Sequence, residues 1–227
     1  MIEPSLSRRP SDVVAAGLLA VPAILTVVLI LHHPVLRGGH DVASVVNGIG
    51  SLASMDRLVH GGLIMVLGIQ TLGFTLFSTH LGWGRPAVVA GFMGYAAGVL
   101  LMILPATLDG FVTPDLAAAC LTAPHGCGAT DAGVFRLIAI MIQDFTKLAL
   151  VVMAAGIAAW SVALLTGTNA LIRIGGIAGL VCAVVPVVIL LSSSVTLQPG
   201  NLAGMIASQT VWSLLAAALM IAGKRPG

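Results

Sequence analysis

The sequence predicts an all-α integral membrane protein, a six-helix transmembrane bundle, and three observations carry that prediction. Of the 227 residues, 58% are hydrophobic and 8% charged, with a mean hydropathy of +1.09, whereas a soluble domain carries about 25% charged residues. The apolar residues gather into six blocks, each near the roughly 20 residues that a spanning helix needs. Within the blocks they run continuously instead of alternating over short strands, which argues against a transmembrane barrel.

The six spans fall at about 13–31, 58–78, 87–108, 134–165, 171–191 and 202–222, within a single transmembrane domain over 1–227. Span one is long, and Ile30, Leu31, His32, His33 and Pro34 form no small-residue cleavage pattern, so the segment is expected to be retained rather than removed as a signal peptide. In the loop that follows, Val42, Val45, Val46, Ile49, Leu52 and Ala53 recur at helical spacing. That stripe predicts a short helix lying on the membrane surface, with Gly48 and Gly50 weakening it. Span two opens with Asp56 and His60, four residues apart and so on one helix face, and carries Gln70 deeper in.

Span three holds Ala90, Gly94 and Gly98 at four-residue spacing, a pattern that lets helices approach closely. The next loop begins near Asp109. In it, Thr113, Pro114 and Asp115 before an alanine-rich run read as a short helix start, and Pro124, Gly126 and Gly128 read as turns around Cys120 and Cys127. Span four is apolar except for Gln143, Asp144 and Lys147. Arg136, Gln143 and Lys147 fall within about 20 degrees on a helical wheel, with Asp144 about 80 degrees round. Span five repeats the small-residue spacing at Gly175 and Gly179 and carries Cys182, which reads as a small apolar core residue. Span six bears Ser208, Gln209, Thr210 and Ser213, hydrogen-bonding groups that suit contact with a polar stripe elsewhere in the bundle.

Basic residues in short loops set the expected orientation. Arg8, Arg9, Arg85, Arg173, Lys224 and Arg225 fall on one side of six spans, while Arg37, Arg57 and Arg136 on the other are offset by several aspartates. Both termini are therefore expected in the cytoplasm, in a bacterial-type inner (plasma) membrane crossed many times. The same assignment places Cys120 and Cys127 outside, where a disulfide can form. The two long loops, 32–57 and 109–133, also face outside, so function is expected on that face.

Two constellations carry chemistry. The first is the span-four set Arg136, Gln143, Asp144 and Lys147: charge within a membrane is expensive, so the set reads either as a structural ion pair or as a working site. The second is a candidate metal set of Asp56, His60 and Asp109 at the outer level, with His32, His33, His40 and His125 in or beside the same loops. Imidazole and carboxylate ligands suit zinc, copper, iron or manganese. Met55 and Met65 are packing residues in this reading. A haem is disfavoured, because only His60 lies within a span. His80 belongs to the opposite side.

The sequence contains no phosphate-binding glycine loop, HExxH, GxSxG or CxxC pattern. A net charge of +2 with isolated basic residues gives no nucleic-acid footprint. Three function classes follow, in order of expectation. The first is an accessory or scaffold subunit that docks partner subunits in the bilayer. The second is a small-solute or proton-coupled transporter using Asp144 and Lys147. The third is an outward-facing, metal-dependent membrane enzyme acting on a lipid or small hydrophobic substrate. With Arg136 above them, Gln143, Asp144 and Lys147 are expected to form the floor of a vestibule open to the outside, beneath Asp56, His60 and Asp109.

Overall fold

The computed structural model describes residues 10–34, 41–192, 197 and 199–223. It is built from α1 (Pro10–Leu31), α2 (Val42–Leu81), α3 (Pro86–Thr107), α4 (Thr113–Thr122), α5 (Ala129–Leu165), α6 (Ala170–Ser192) and α7 (Pro199–Ile221). Six helical segments are long and apolar enough to cross a membrane, the third running from α3 through α4. The chain is a polytopic helical membrane protein. The expected spans agree with these segments, and the helices extend beyond several of them.

Two extensions matter. The stripe over 42–53 does not form a separate surface helix: it continues without a break into span two, giving a 40-residue α2. Asp41 caps its start, its carboxylate accepting from the Ser44 amide at 2.8 Å, which satisfies one of the helix's orphan donors. Similarly, α5 starts at Ala129, five residues before the expected span, after the Gly128 amide donates to the Asp131 carboxylate at 2.8 Å. The projecting part of α2 packs its Val46 and Ile49 on Ala117 and Cys120 of α4. Arg57 adds an ion pair to Asp115. The expected short helix after Asp109 is α4, with Pro114 in its first turn. Cys120 and Cys127 are joined, their Cα atoms 5.0 Å apart.

The six spanning helices form a ring: α1 packs on α2, α2 on α3, α3 on α5, α5 on α6, α6 on α7, and α7 back on α1. The tightest contact is between α3 and α5, where a Cβ added to Gly94 would lie 3.1 Å from the Gly156 Cα. One added to Gly156 would lie 2.5 Å from the Tyr95 amide nitrogen. On α6, Gly175 and Gly179 face Leu219 and Trp212 in the same manner. The small-residue spacing therefore serves packing inside the bundle. Cys182 is a free thiol against the same core.

The end of the ring bearing both termini is filled. Phe74, Phe77, Tyr95, Trp160 and Trp212 are fully buried there, with Phe74 stacked on Trp160 at 4.7 Å. The Trp160 indole donates to Ser78 Oγ at 3.0 Å. Near the same end His80 Nδ1 lies 3.5 Å from Asp12 Oδ1, linking α2 to α1. Toward the other end the ring opens around a cavity of about 500 Å³.

Candidate functional site

The cavity is built from α1, α2, α3, α5 and α7, and its charged or titratable lining residues are His33, Asp56, His60 and Asp109. Three of these converge on one point. His33 Nε2 lies 3.2 Å from His60 Nε2, 3.4 Å from Asp109 Oδ2, and His60 Nε2 lies 3.3 Å from the same carboxylate oxygen. The imidazole rings meet edge to face, 83° between planes and 4.8 Å between centroids.

Local sequence explains each position. His33 precedes Pro34, and a residue before proline is pushed out of the helical region, so α1 ends at Leu31 and the chain turns, with the His33 amide donating to the Ile30 carbonyl at 3.1 Å. His60 lies on an unbroken part of α2, buried to 4% exposure. Asp109 sits in a π-turn, Leu108–Val112, between α3 and α4. There the Thr113 amide reaches the Leu108 carbonyl, five residues back, and Pro114 has no N–H with which to resume the regular ladder. The π-turn also brings Gly110 against His60: a Cβ on that glycine would lie 2.6 Å from His60 Cγ. Single π-turns of this kind gather at functional sites.

The other ring nitrogens decide the chemistry. His60 Nδ1 faces the Asp56 backbone oxygen at 2.9 Å, and His33 Nδ1 faces the Pro34 backbone oxygen at 2.8 Å. A carbonyl oxygen can only accept, so in the neutral imidazoles each Nδ1 carries the hydrogen and each Nε2 presents a lone pair. Two lone pairs and a carboxylate thus point at one another from 3.2–3.4 Å. That arrangement is repulsive until a cation enters it. A proton can satisfy one contact at a time, whereas a metal ion satisfies all three. Ligand atoms at about 2.05 Å from a tetrahedral ion stand about 3.3 Å apart, which is the spacing here. Three protein ligands leave a fourth position, as in catalytic zinc sites, and the backbone carbonyls supply the outer support that fixes ligand orientation.

His33 lies beyond the last residue of the first span. Burial pushes its pKa down, but the hydrogen bond and charge of Asp109, the Pro34 carbonyl and the charge of Asp56 outweigh this and hold it above the ordinary histidine value. Without a metal, Asp109 thus favours the protonated form of His33.

The expected metal set was Asp56, His60 and Asp109, and two of those three belong to the cluster, with His33 in place of Asp56. Asp56 orients His60 through its backbone oxygen and not its carboxylate, and its side chain lines the cavity one turn further along α2. His32 is exposed, its Nδ1 against the Val28 oxygen at 2.8 Å. His125 is exposed on the far loop, and His40 lies outside the described residues. The span-four residues do not form one site. Arg136 and Asp144 are exposed on the outside of α5, and Lys147 is partly buried. Among the described residues no ion pair joins Asp144 to Lys147. Gln143 turns inward and clasps one backbone unit, its Nε2 donating to the Leu197 oxygen at 3.2 Å and its Oε1 accepting from the Leu197 amide at 2.8 Å.

The fold and this cluster define a class: a six-span helical membrane protein with two histidines and an aspartate converging at the side of an intramembrane cavity. No protein-family model, curated protein or solved structure matches the chain.

Proposed function

We propose that the protein is a membrane-embedded, metal-dependent hydrolase whose ion is held by His33, His60 and Asp109. The observation that carries this reading is the convergence of three acceptors at 3.2–3.4 Å, with both imidazoles pinned by backbone carbonyls. The spacing favours zinc. A zinc ion with one open position lowers the pKa of a bound water to about 7 and polarises a carbonyl. The chain supplies the rest. His33, His60 and Asp109 hold the ion, the mostly apolar walls receive a hydrophobic substrate, and Asp56 is positioned on the same wall to take a proton from water and return it to the leaving group. Water adds to an ester or amide carbonyl, the C–O or C–N bond breaks, and an acid and an alcohol or amine leave.

The carrier reading draws on the charges of span four, which lie off this cluster, and the stripe over 42–53 that favoured an accessory subunit is packed on α4, so we rank the enzyme first. We also retain the orientation with cytoplasmic termini, in a plasma membrane, which puts the cluster and the Cys120–Cys127 bridge on the outer side. The test is hydrolysis of a fluorogenic long-chain acyl ester or amide by purified protein in lipid nanodiscs. Activity should vanish with chelator, return with zinc, and fall by at least about 100-fold in Asp56→Asn without loss of the ion. Activity that survives complete removal of metal would refute the proposal.

A further inference from the structure

The cluster is not at the end of the cavity but part of the way along it. Counting along α2 at about 1.5 Å per residue, Gln70 lies about 15 Å deeper than His60, and Leu52 lies about 12 Å to the other side. Both residues line the same cavity. The three converging side chains thus mark the level, here termed the waist, that separates an inner lobe, within the ring of spanning helices, from an outer lobe between the projecting parts of α2 and α5.

We infer that the inner lobe seats a single unbranched acyl chain, its carbonyl at the waist and its terminal methyl above Gln70. This rests on the hydrolase reading for the chemistry at the waist, but not for the binding. Size, polarity and a fixed floor support it. The whole cavity measures about 500 Å³; at the roughly 30 Å³ that one water takes in the liquid, it seats about sixteen water-sized groups, enough for one chain and its head. The inner walls include Ile30, Leu63, Leu67, Met102 and Ile206. The hydroxyls of Thr26, Thr146 and Thr210 among them are turned onto backbone oxygens, while the charged lining groups all lie at or beyond the waist. A head group placed at the bottom would forfeit its partners among these side chains. The floor is rigid, because Gln70 Nε2 donates to Ser213 Oγ at 2.8 Å and that hydroxyl donates to the Gln209 backbone oxygen at 2.9 Å. Beneath it the aromatic cluster leaves no continuation.

The lobe should therefore act as a length gauge. Leu67 stands about one helical turn above Gln70, so Leu67→Trp raises the floor. Ile206→Trp narrows the lobe from α7, and Gln70→Ala lowers the floor. The test is displacement of a fluorescent fatty acid from chelator-treated protein in nanodiscs by saturated fatty acids of graded length. For wild type, affinity referred to the free aqueous fatty-acid concentration should rise by about fourfold per methylene, as partition into the nanodisc lipid does, and then fall below that lipid trend once the lobe is full. Leu67→Trp and Ile206→Trp should move that limit to shorter chains, and Gln70→Ala to longer ones. An unchanged limit in both tryptophan variants at wild-type thermal midpoints, or no fatty-acid binding by wild type, would overturn the inference. A shifted limit without hydrolysis in the metal-loaded protein would defeat the reaction but keep the gauge, and hydrolysis indifferent to Leu67→Trp would do the reverse.

Discussion

Backbone carbonyls, more than neighbouring side chains, decide what His33 and His60 can do. Each accepts from an Nδ1, leaving Nε2 lone pairs that face Asp109. The pH behaviour follows with opposite signs in the two forms of the protein. In chelated protein the raised pKa of His33 means that its imidazolium, paired with Asp109, stabilises the fold fully below its unfolded value near 6.5. That contribution is lost as pH rises through the raised folded value. In metal-loaded protein the ion must compete with that proton, so its stabilisation grows over the same interval. Thermal midpoints recorded from pH 6 to 9 should fall for the chelated form and rise for the zinc form; parallel curves would contradict a shared site. The aspartate at 109 was readable from sequence as a candidate, and so was His60. For His33 the sequence shows that Pro34 ends the helix, but not that the ring then turns inward, which is a contact with α2 and the π-turn; α1, α2 and α3 nonetheless reach the same level within about one turn at His33, His60 and Asp109.

Among the elements, the π-turn and the α3–α5 contact make separable demands. Gly110→Ala would press a methyl group onto the Cβ of His60 and within 2.6 Å of its Cγ, atoms held by the α2 backbone, so the π-turn and α2 must part locally at the cluster. Gly156→Ala would drive one onto the Tyr95 backbone at 2.5 Å, in the tightest packing of the bundle. We expect Gly110→Ala to lose metal even in the fraction that remains folded. Gly156→Ala should lose about 1–3 kcal/mol of stability and keep its metal when folded. If both variants behave alike, the cluster and the core are not independent. Hydropathy located all six spans, but not where the helices end beyond the bilayer. The stripe over 42–53 is amphipathic because it packs on α4, and period alone does not tell a helix lying on lipid from one packed on protein. The same blindness affected depth. Measured from Val134, Lys147 is past mid-membrane; measured from Leu165, Asp144 and Lys147 lie about 27–32 Å along, near the level of His60.

At the scale of the whole molecule, a ring of helices sealed at one end by aromatics leaves a cavity that opens toward the long loops. The proposed orientation, with cytoplasmic termini, would put the open end and the Cys120–Cys127 pair outside. Membrane-impermeant thiol reagents should reach Cys120 and Cys127 from outside intact cells only after reduction; labelling that requires cell lysis would invert the topology. The titratable residues of this cavity come from three segments far apart in sequence, the turn after α1, α2 and the π-turn, and contacts so distant leave no periodic trace. Of Arg136, Gln143, Asp144 and Lys147, only Gln143 lines the cavity, and it does so as a clasp on Leu197. The central claim is that His33, His60 and Asp109 share one ion. X-ray absorption on zinc-loaded protein tests it most directly: the account predicts two imidazole nitrogens and carboxylate oxygen at about 2.0–2.2 Å, with the signal lost in His60→Ala and retained in Asp144→Asn. A spectrum without two imidazoles, or one unchanged by His60→Ala, would contradict it.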